Sequence, residues 1–194
     1  MRATRTPFQR LIRQLLPWLL LGIPLAIPAV AAVETPKSIR LYDAEGRAIE
    51  IGQLILIPDA GGGSWHYRLQ IDPQPFRDHF LSMKELKCLE GPELWCRVPY
   101  PYANPQRISR DDLRWLEHDL LFLFKRPDEF GARFWNGIYY RLHWDGDTLR
   151  GSARAVDLDL LAAPPDDLDT PPLGGYDIGD SELGERWLPR LGID

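Results

Sequence analysis

Two cysteines, two methionines and four histidines among 194 residues leave little soft-ligand or redox chemistry to build with. No Cys-x-x-Cys pair and no zinc-ligand spacing occurs, which argues against a thioredoxin-type redox centre and against a metal site. No cofactor is expected. The one long apolar run is broken by Pro17, Pro24 and Pro28 and falls short of the roughly 20 residues that a membrane-crossing helix needs. Phosphate-loop and dinucleotide patterns are missing, because Gly61, Gly62 and Gly63 are adjacent and precede a strand pattern rather than a helix. The segment from Gly62 to His66 is no nucleophile elbow, since His66 stands where the second glycine is required. No catalytic residue is assigned from the sequence. A basic stripe is lacking too. Removing the four arginines of the first 32 residues from the 23 basic residues leaves 19 against 28 acidic ones, a net charge of −9, which argues against a nucleic-acid partner.

What is present begins with the N-terminus. Arg2, Arg5, Arg10 and Arg13 precede an apolar stretch, and Ala29-Val30-Ala31-Ala32 supplies small residues at its end. That three-part order is the pattern of a secretory signal over residues 1–32. A membrane anchor is the competing reading; the prolines and the shortness of the run favour cleavage, leaving no stable membrane span. The expected location is the periplasm or the medium. With 44% hydrophobic and 26% charged residues the remainder has the composition of a packed domain. One domain is expected over residues 33–161, followed by a Pro/Gly/Asp-rich arm over residues 162–194. Trp187, Leu188, Leu191 and Ile193 suggest that this arm docks.

Export changes how the cysteines are read. Cys88 and Cys96 in an oxidising compartment are most simply one disulfide, contributing ~2.5 kcal/mol in the chain-entropy model. The loop between them carries Glu90-Gly91-Pro92-Glu93, and Pro99-Tyr100-Pro101-Tyr102 beyond it must run extended. Glu90, Glu93, Trp95, Tyr100 and Tyr102 therefore form a candidate recognition surface, rigid and aromatic, for a small molecule, glycan or peptide. The competing reading is that these rings cover one end of the core.

Period-two alternation marks a hairpin over Ser38–Tyr42 and Arg47–Ile51 and a half-buried strand from Trp65 to Ile71, while Gln53–Ile57, an apolar branched run too short for a helix, reads as a strand covered on both faces. Asp72 to Ser82 reads as a short helical turn or an irregular edge. Ser109, Asp111 and Asp112 mark a helix start, and Leu113, Leu116, Leu120 and Leu123 recur at helical spacing until Pro127, which predicts a long buried helix from Ser109 to Arg126. Gly137 to Asp145 alternates again, turns at Asp145-Gly146-Asp147 and returns to about Leu160; whether the loop is Asp145-Gly146 or Gly146-Asp147, large residues of the first strand oppose Gly151 and Ala153. The expected fold is α+β: an antiparallel, curved or partly closed sheet, lipocalin-like or an open barrel, with one long packed α-helix.

The segments Lys87-Cys88-Leu89-Glu90-Gly91-Pro92-Glu93, Val98-Pro99-Tyr100-Pro101-Tyr102 and Trp135-Asn136-Gly137-Ile138-Tyr139-Tyr140 resemble those of a family of exported bacterial proteins of uncharacterised function. The likeness spans roughly Phe80 to Leu160. It implies bacterial export and carries over no catalytic residue. The expectation is a periplasmic binding or accessory protein of the cell envelope, with an envelope-directed hydrolase as the alternative.

Overall fold

Twelve strands and one short helix make up residues 35–81 and 84–194, the part of the chain that the computed structural model describes. The expected signal over residues 1–32 lies outside the described residues. β1 (Lys37–Tyr42), β2 (Ala48–Pro58) and β3 (Ser64–Ile71) form one antiparallel meander. β4 (Arg77–Leu81), β5 (Lys84–Glu90) and β6 (Leu94–Arg97) form another. A short β7 (Arg107–Ser109) leads into α1 (Arg114–Asp119), which gives way to β8 (Phe122–Lys125). The hairpin β9 (Gly137–Asp145) and β10 (Thr148–Val156) turns on Gly146, whose φ of +62° suits glycine. β11 (Ile178–Glu182) and β12 (Arg190–Ile193) complete the set.

All strands join one antiparallel sheet in the order β4-β5-β6-β8-β9-β10-β12-β1-β2-β3-β7, with β11 paired to β10 beside that path. This overturns the α+β expectation. The sheet is open, with β4 and β7 at its edges, so neither a lipocalin-like closure nor a barrel forms. The long helix expected from Ser109 to Arg126 is absent as well. Ser109 does hold the start, its hydroxyl accepting from the amides of Asp111 and Asp112, but the helix spans only Arg114–Asp119. Phe122 to Lys125 then extends and pairs with β6 on one side and β9 on the other. The cause is the run Leu120-Leu121-Phe122-Leu123, all fully buried. A segment that is apolar all round suits a central strand covered on both faces as well as it suits a buried helix, and here the strand has two partners waiting.

Although open, the sheet folds over on itself. Trp65 of β3 and Trp144 of β9 meet with ring centroids 5.3 Å apart, although four strands stand between β3 and β9 in the hydrogen-bonded order. α1 occupies the space enclosed. Tyr67 of β3 donates to Asp119 at 2.7 Å, and on the other side Tyr139 and the Leu142 amide of β9 donate to Glu117 at 2.5 and 2.6 Å. One turn and a half of helix thus serves as a polar strut between two faces of the same sheet.

Three local readings of the sequence meet their geometry. β2 runs through Gly52 as one bent strand, with a register shift opposite Ile39 and Arg40; a side chain at Gly52 would strike the Gln70 carbonyl. Leu142 faces Gly151 and Tyr140 faces Ala153, so large residues lie against small ones, and the chain near Leu188 covers that face by accepting from the Tyr140 hydroxyl at 2.8 Å. The strand expected to reach Leu160 ends instead at Val156. Asp157 accepts from the Asp159 amide and starts a 3-10 turn over Leu158–Leu161.

The C-terminal residues are more than an arm. β12 lies between β10 and β1, with Leu191 and Ile193 buried, so residues 190–193 join the β1-β2-β3 meander to the β9-β10 hairpin. On the way there Trp187 lies on Gly91, and Arg186 pairs with Glu93 at 2.7 Å. Residues 162–194 belong to the same compact unit as the sheet.

Candidate functional site

The Cys88 and Cys96 sulfurs are 2.00 Å apart, the distance of a disulfide. Their Cα atoms are 3.9 Å apart, closer than the ~4.4–6.8 Å usual for a bridge, because the two residues face each other in register across β5 and β6. The staple exists, but the exposed aromatic platform expected around it does not. Trp95 is fully buried against Phe122 and Tyr140 and donates its indole N–H to Glu93 at 3.1 Å. Glu93 also accepts from Arg186 and from the Trp187 amide, so it clamps the C-terminal segment rather than facing solvent. Glu90 stays at the surface beside His79. Tyr102 donates to the Leu161 carbonyl at 2.9 Å and packs on Tyr100. Both faces of the middle of Leu94–Arg97 are covered: Trp95 and Cys96 point to opposite sides of the strand and both are fully buried.

Of the five candidates, Tyr100 lines a cleft. That cleft, of about 380 Å³, is walled by Ile71, Pro73, Phe76, Leu86, Pro99, Tyr100 and Pro101. Lys84, Glu85, Lys87 and Arg97 supply its charge. The disulfide fixes β5 to β6 in register, and both strands contribute to the cleft wall. The two prolines then hold Tyr100 extended, with its ring edge-on to Trp115 and His118. Among the described residues, three buried side-chain polar atoms have no partner: Arg97 Nε, the Tyr100 hydroxyl and Arg154 Nε. Two of the three belong to residues lining this cleft. Burial pulls the Arg97 pKa down, with the Asp119 charge opposing, and burial pushes the Tyr100 hydroxyl up. Phe76, Leu86 and Arg97 were not singled out from the sequence. The available signal was Arg97 itself, a cation in a strand whose next residues on both sides, Cys96 and Val98, are apolar.

A second cleft, of about 630 Å³, is polar and lies between α1, β9 and residues 173–178. Arg110 lies over Trp65 and Trp144, 5.8 and 5.4 Å from their ring centroids, and Arg114 grips Asp112 with two bonds of 2.9 and 2.7 Å. Glu117 is buried at its base. Desolvation raises the Glu117 pKa, and the bonds from Tyr139 and Leu142 work against that rise. His118, alongside, is buried and neutral. A carbonyl can only accept, so Nδ1 carries the proton toward Arg114 O at 2.7 Å, and Nε2 accepts from the Leu173 amide at 3.2 Å. His118 therefore ties residues 173–178 to α1. Glu117 and His118 both serve the packing of the helix.

Ser64, His66 and Asp59 meet at the β2–β3 turn, yet their order is wrong for nucleophilic catalysis. The serine hydroxyl donates to Asp59, while His66 faces the other oxygen of that carboxylate at 3.5 Å. Arg107 pairs with Asp59 at 2.9 Å, and these bonds hold its carboxyl below the usual range, the serine bond foremost. An activated serine needs the imidazole as its own partner. His143, on β9, lines the polar cleft described above. Among the described residues no group of three His, Cys, Asp or Glu side chains is arranged to hold a metal ion, and no helix is long and apolar enough to cross a membrane. Compared with family models, with curated proteins and with solved structures, the chain shows no match.

Proposed function

We propose that this is an exported binding or accessory protein of the bacterial cell envelope that takes a small, largely apolar molecule in the cleft beside Tyr100. The observation that carries this reading is the cleft itself. Its apolar wall is fixed by a disulfide and two prolines, and Lys84, Glu85, Lys87 and Arg97 stand around it. Small-ligand sites are commonly preformed concavities of ~300–1,000 Å³ with few, placed polar groups, and this one falls in that range. Export is supported by the N-terminal pattern and by the Cys88–Cys96 bridge, which an oxidising compartment would maintain.

Mass spectrometry of protein purified without detergent from its native periplasm tests this. A single co-purifying species near one per protein is expected. Protein that arrives empty, and that also fails to take up an apolar fluorescent dye, overturns the reading. The alternative, a hydrolase acting on envelope material, draws on the raised Glu117 carboxyl at the base of the polar cleft. Loss of turnover on such material in Glu117→Gln, measured where the variant is still fully folded, would favour it.

A further inference from the structure

We propose that the polar cleft between α1, β9 and residues 173–178 binds a saccharide carrying a carboxylate, with Arg110 and Arg141 receiving the acid and Asp111 a hydroxyl. This site shares no lining residue with the cleft beside Tyr100, so it stands or falls independently of that one. Three arginines and three acids line it: Arg110, Arg114 and Arg141 against Asp111, Asp112 and Glu117. Three of these six are already committed. Arg114 and Asp112 hold each other with two bonds, and Glu117, buried at the base, accepts from Tyr139 and from the Leu142 amide. What remains is Arg110, Arg141 and Asp111, two cations against one acid, all three exposed where they border the cleft.

Among the described residues neither Arg110 nor Arg141 makes a hydrogen bond or an ion pair through its guanidinium. Arg110 is nonetheless held in place, because it lies over both Trp65 and Trp144, whose rings meet at 5.3 Å. A cation–π contact uses the charge and leaves the five N–H donors without acceptors. The groups that match such a fork are a carboxylate and a phosphate. Asp111 decides between them. Its carboxylate accepts no hydrogen bond from a side chain among the described residues, and with Asp112 and Glu117 close by it would oppose a doubly charged phosphate. A single carboxylate meets two cations and leaves Asp111 to accept from a hydroxyl. A cleft of about 630 Å³ has room for more than an acid group, and its charged walls suit hydroxyls, which donate and accept, better than an aliphatic chain.

Calorimetric titration of the purified protein at low ionic strength with the disaccharide of galacturonic acid, with the galactose disaccharide of the same linkage, and with acetate and inorganic phosphate tests this. The acidic sugar should bind one to one and the neutral sugar about 10- to 100-fold more weakly, the range expected for hydrogen bonds to a charged group. Arg110→Lys keeps a cation over the two rings but loses the fork, and should narrow that preference; Arg141→Met should narrow it too, and both should leave the neutral sugar unaffected. Both side chains are exposed and hold no hydrogen bond within the described residues, so neither change should disturb the fold. Equal binding of the two sugars overturns the carboxylate. Acetate or phosphate bound as tightly as the acidic sugar overturns the saccharide. A preference that survives Arg110→Lys and Arg141→Met alike overturns the assignment of the arginines, and binding of none of the four ligands overturns the site itself.

Discussion

Alanine at position 91 would put a methyl group within 2.6 Å of Cε2, Cζ2 and Cη2 of Trp187. The contact joins the stapled hairpin to the chain that leads into β12, and the backbone at Gly91 is not in the left-handed region, so the substitution tests space alone. Trp187 cannot simply swing away, because its amide is held by Glu93 and its ring packs on the core. Overpacking of this kind costs ~1–3 kcal/mol. Against it, alanine restricts the unfolded chain and gains ~0.4–1 kcal/mol. Gly91→Ala should therefore destabilise by about 1–2 kcal/mol. In a Trp187→Ala background the obstacle is gone and the same change should stabilise by ~0.4–1 kcal/mol. The sign reverses between backgrounds, giving a coupling of about 1–3 kcal/mol. Urea unfolding followed by far-ultraviolet circular dichroism, with m-values checked for constancy, measures all four proteins. A stabilisation of equal size in both backgrounds would refute the close packing of Trp187 on Gly91.

Glu93→Ala strands a half-buried arginine and two N–H donors and should cost ~3 kcal/mol, whereas Glu90→Ala, at the surface, should cost under ~0.5 kcal/mol; equal losses in urea unfolding would contradict the clamp. Replacing Cys88 and Cys96 by alanine should remove ~2.5 kcal/mol, with amide exchange rising first in β5 and β6, and uniform loosening would argue against a local role. Burial lowers the His118 pKa below its unfolded value of about 6.5, so the unfolded chain binds the extra proton; the stability it supports is complete above that pH and is lost as pH falls below it. Between pH 7.5 and 5.5 the native protein should lose stability faster than His118→Asn, and parallel curves would exclude a neutral buried imidazole. Deleting residues 190–194 should abolish cooperative unfolding, which calorimetry would show; a retained sharp transition would restore these residues to the status of an arm.

Local pairing was legible from the sequence where a strand has one wet face. Trp65 to Ile71 and Gly137 to Asp145 alternate, and both are strands with the turns that their glycines and aspartates indicate. Legibility failed where both faces are dry. Leu120 to Phe124 carries no alternation, and its strand identity depends on β6 and β9, which local spacing does not reveal. The last residues fail differently. Arg190-Leu191-Gly192-Ile193 does alternate, but four residues after a proline-rich stretch are too few to mark a central strand. Of the candidate site, the disulfide and the stiff exit through Tyr100 could be read. The cleft could not, because Phe76, Leu86 and Arg97 come to line one cleft only once β4 and β5 have folded beside β6. Trp95 was misplaced for a related reason: its ring is core only because β8 and β9 complete the sheet on that side.

The position of β12 has a consequence for the order of events during synthesis. Until residues 190–193 exist, β1 and β10 each present an unpaired edge, and the two parts of the sheet have no strand to join them. A chain emerging from the ribosome can form its hairpins early, since those contacts are local, but it has no finished sheet to settle into. Were the protein exported, as proposed, that delay would be useful. A polypeptide whose sheet stays unlocked until residues 190–193 are made would remain thin enough to thread through a translocation channel.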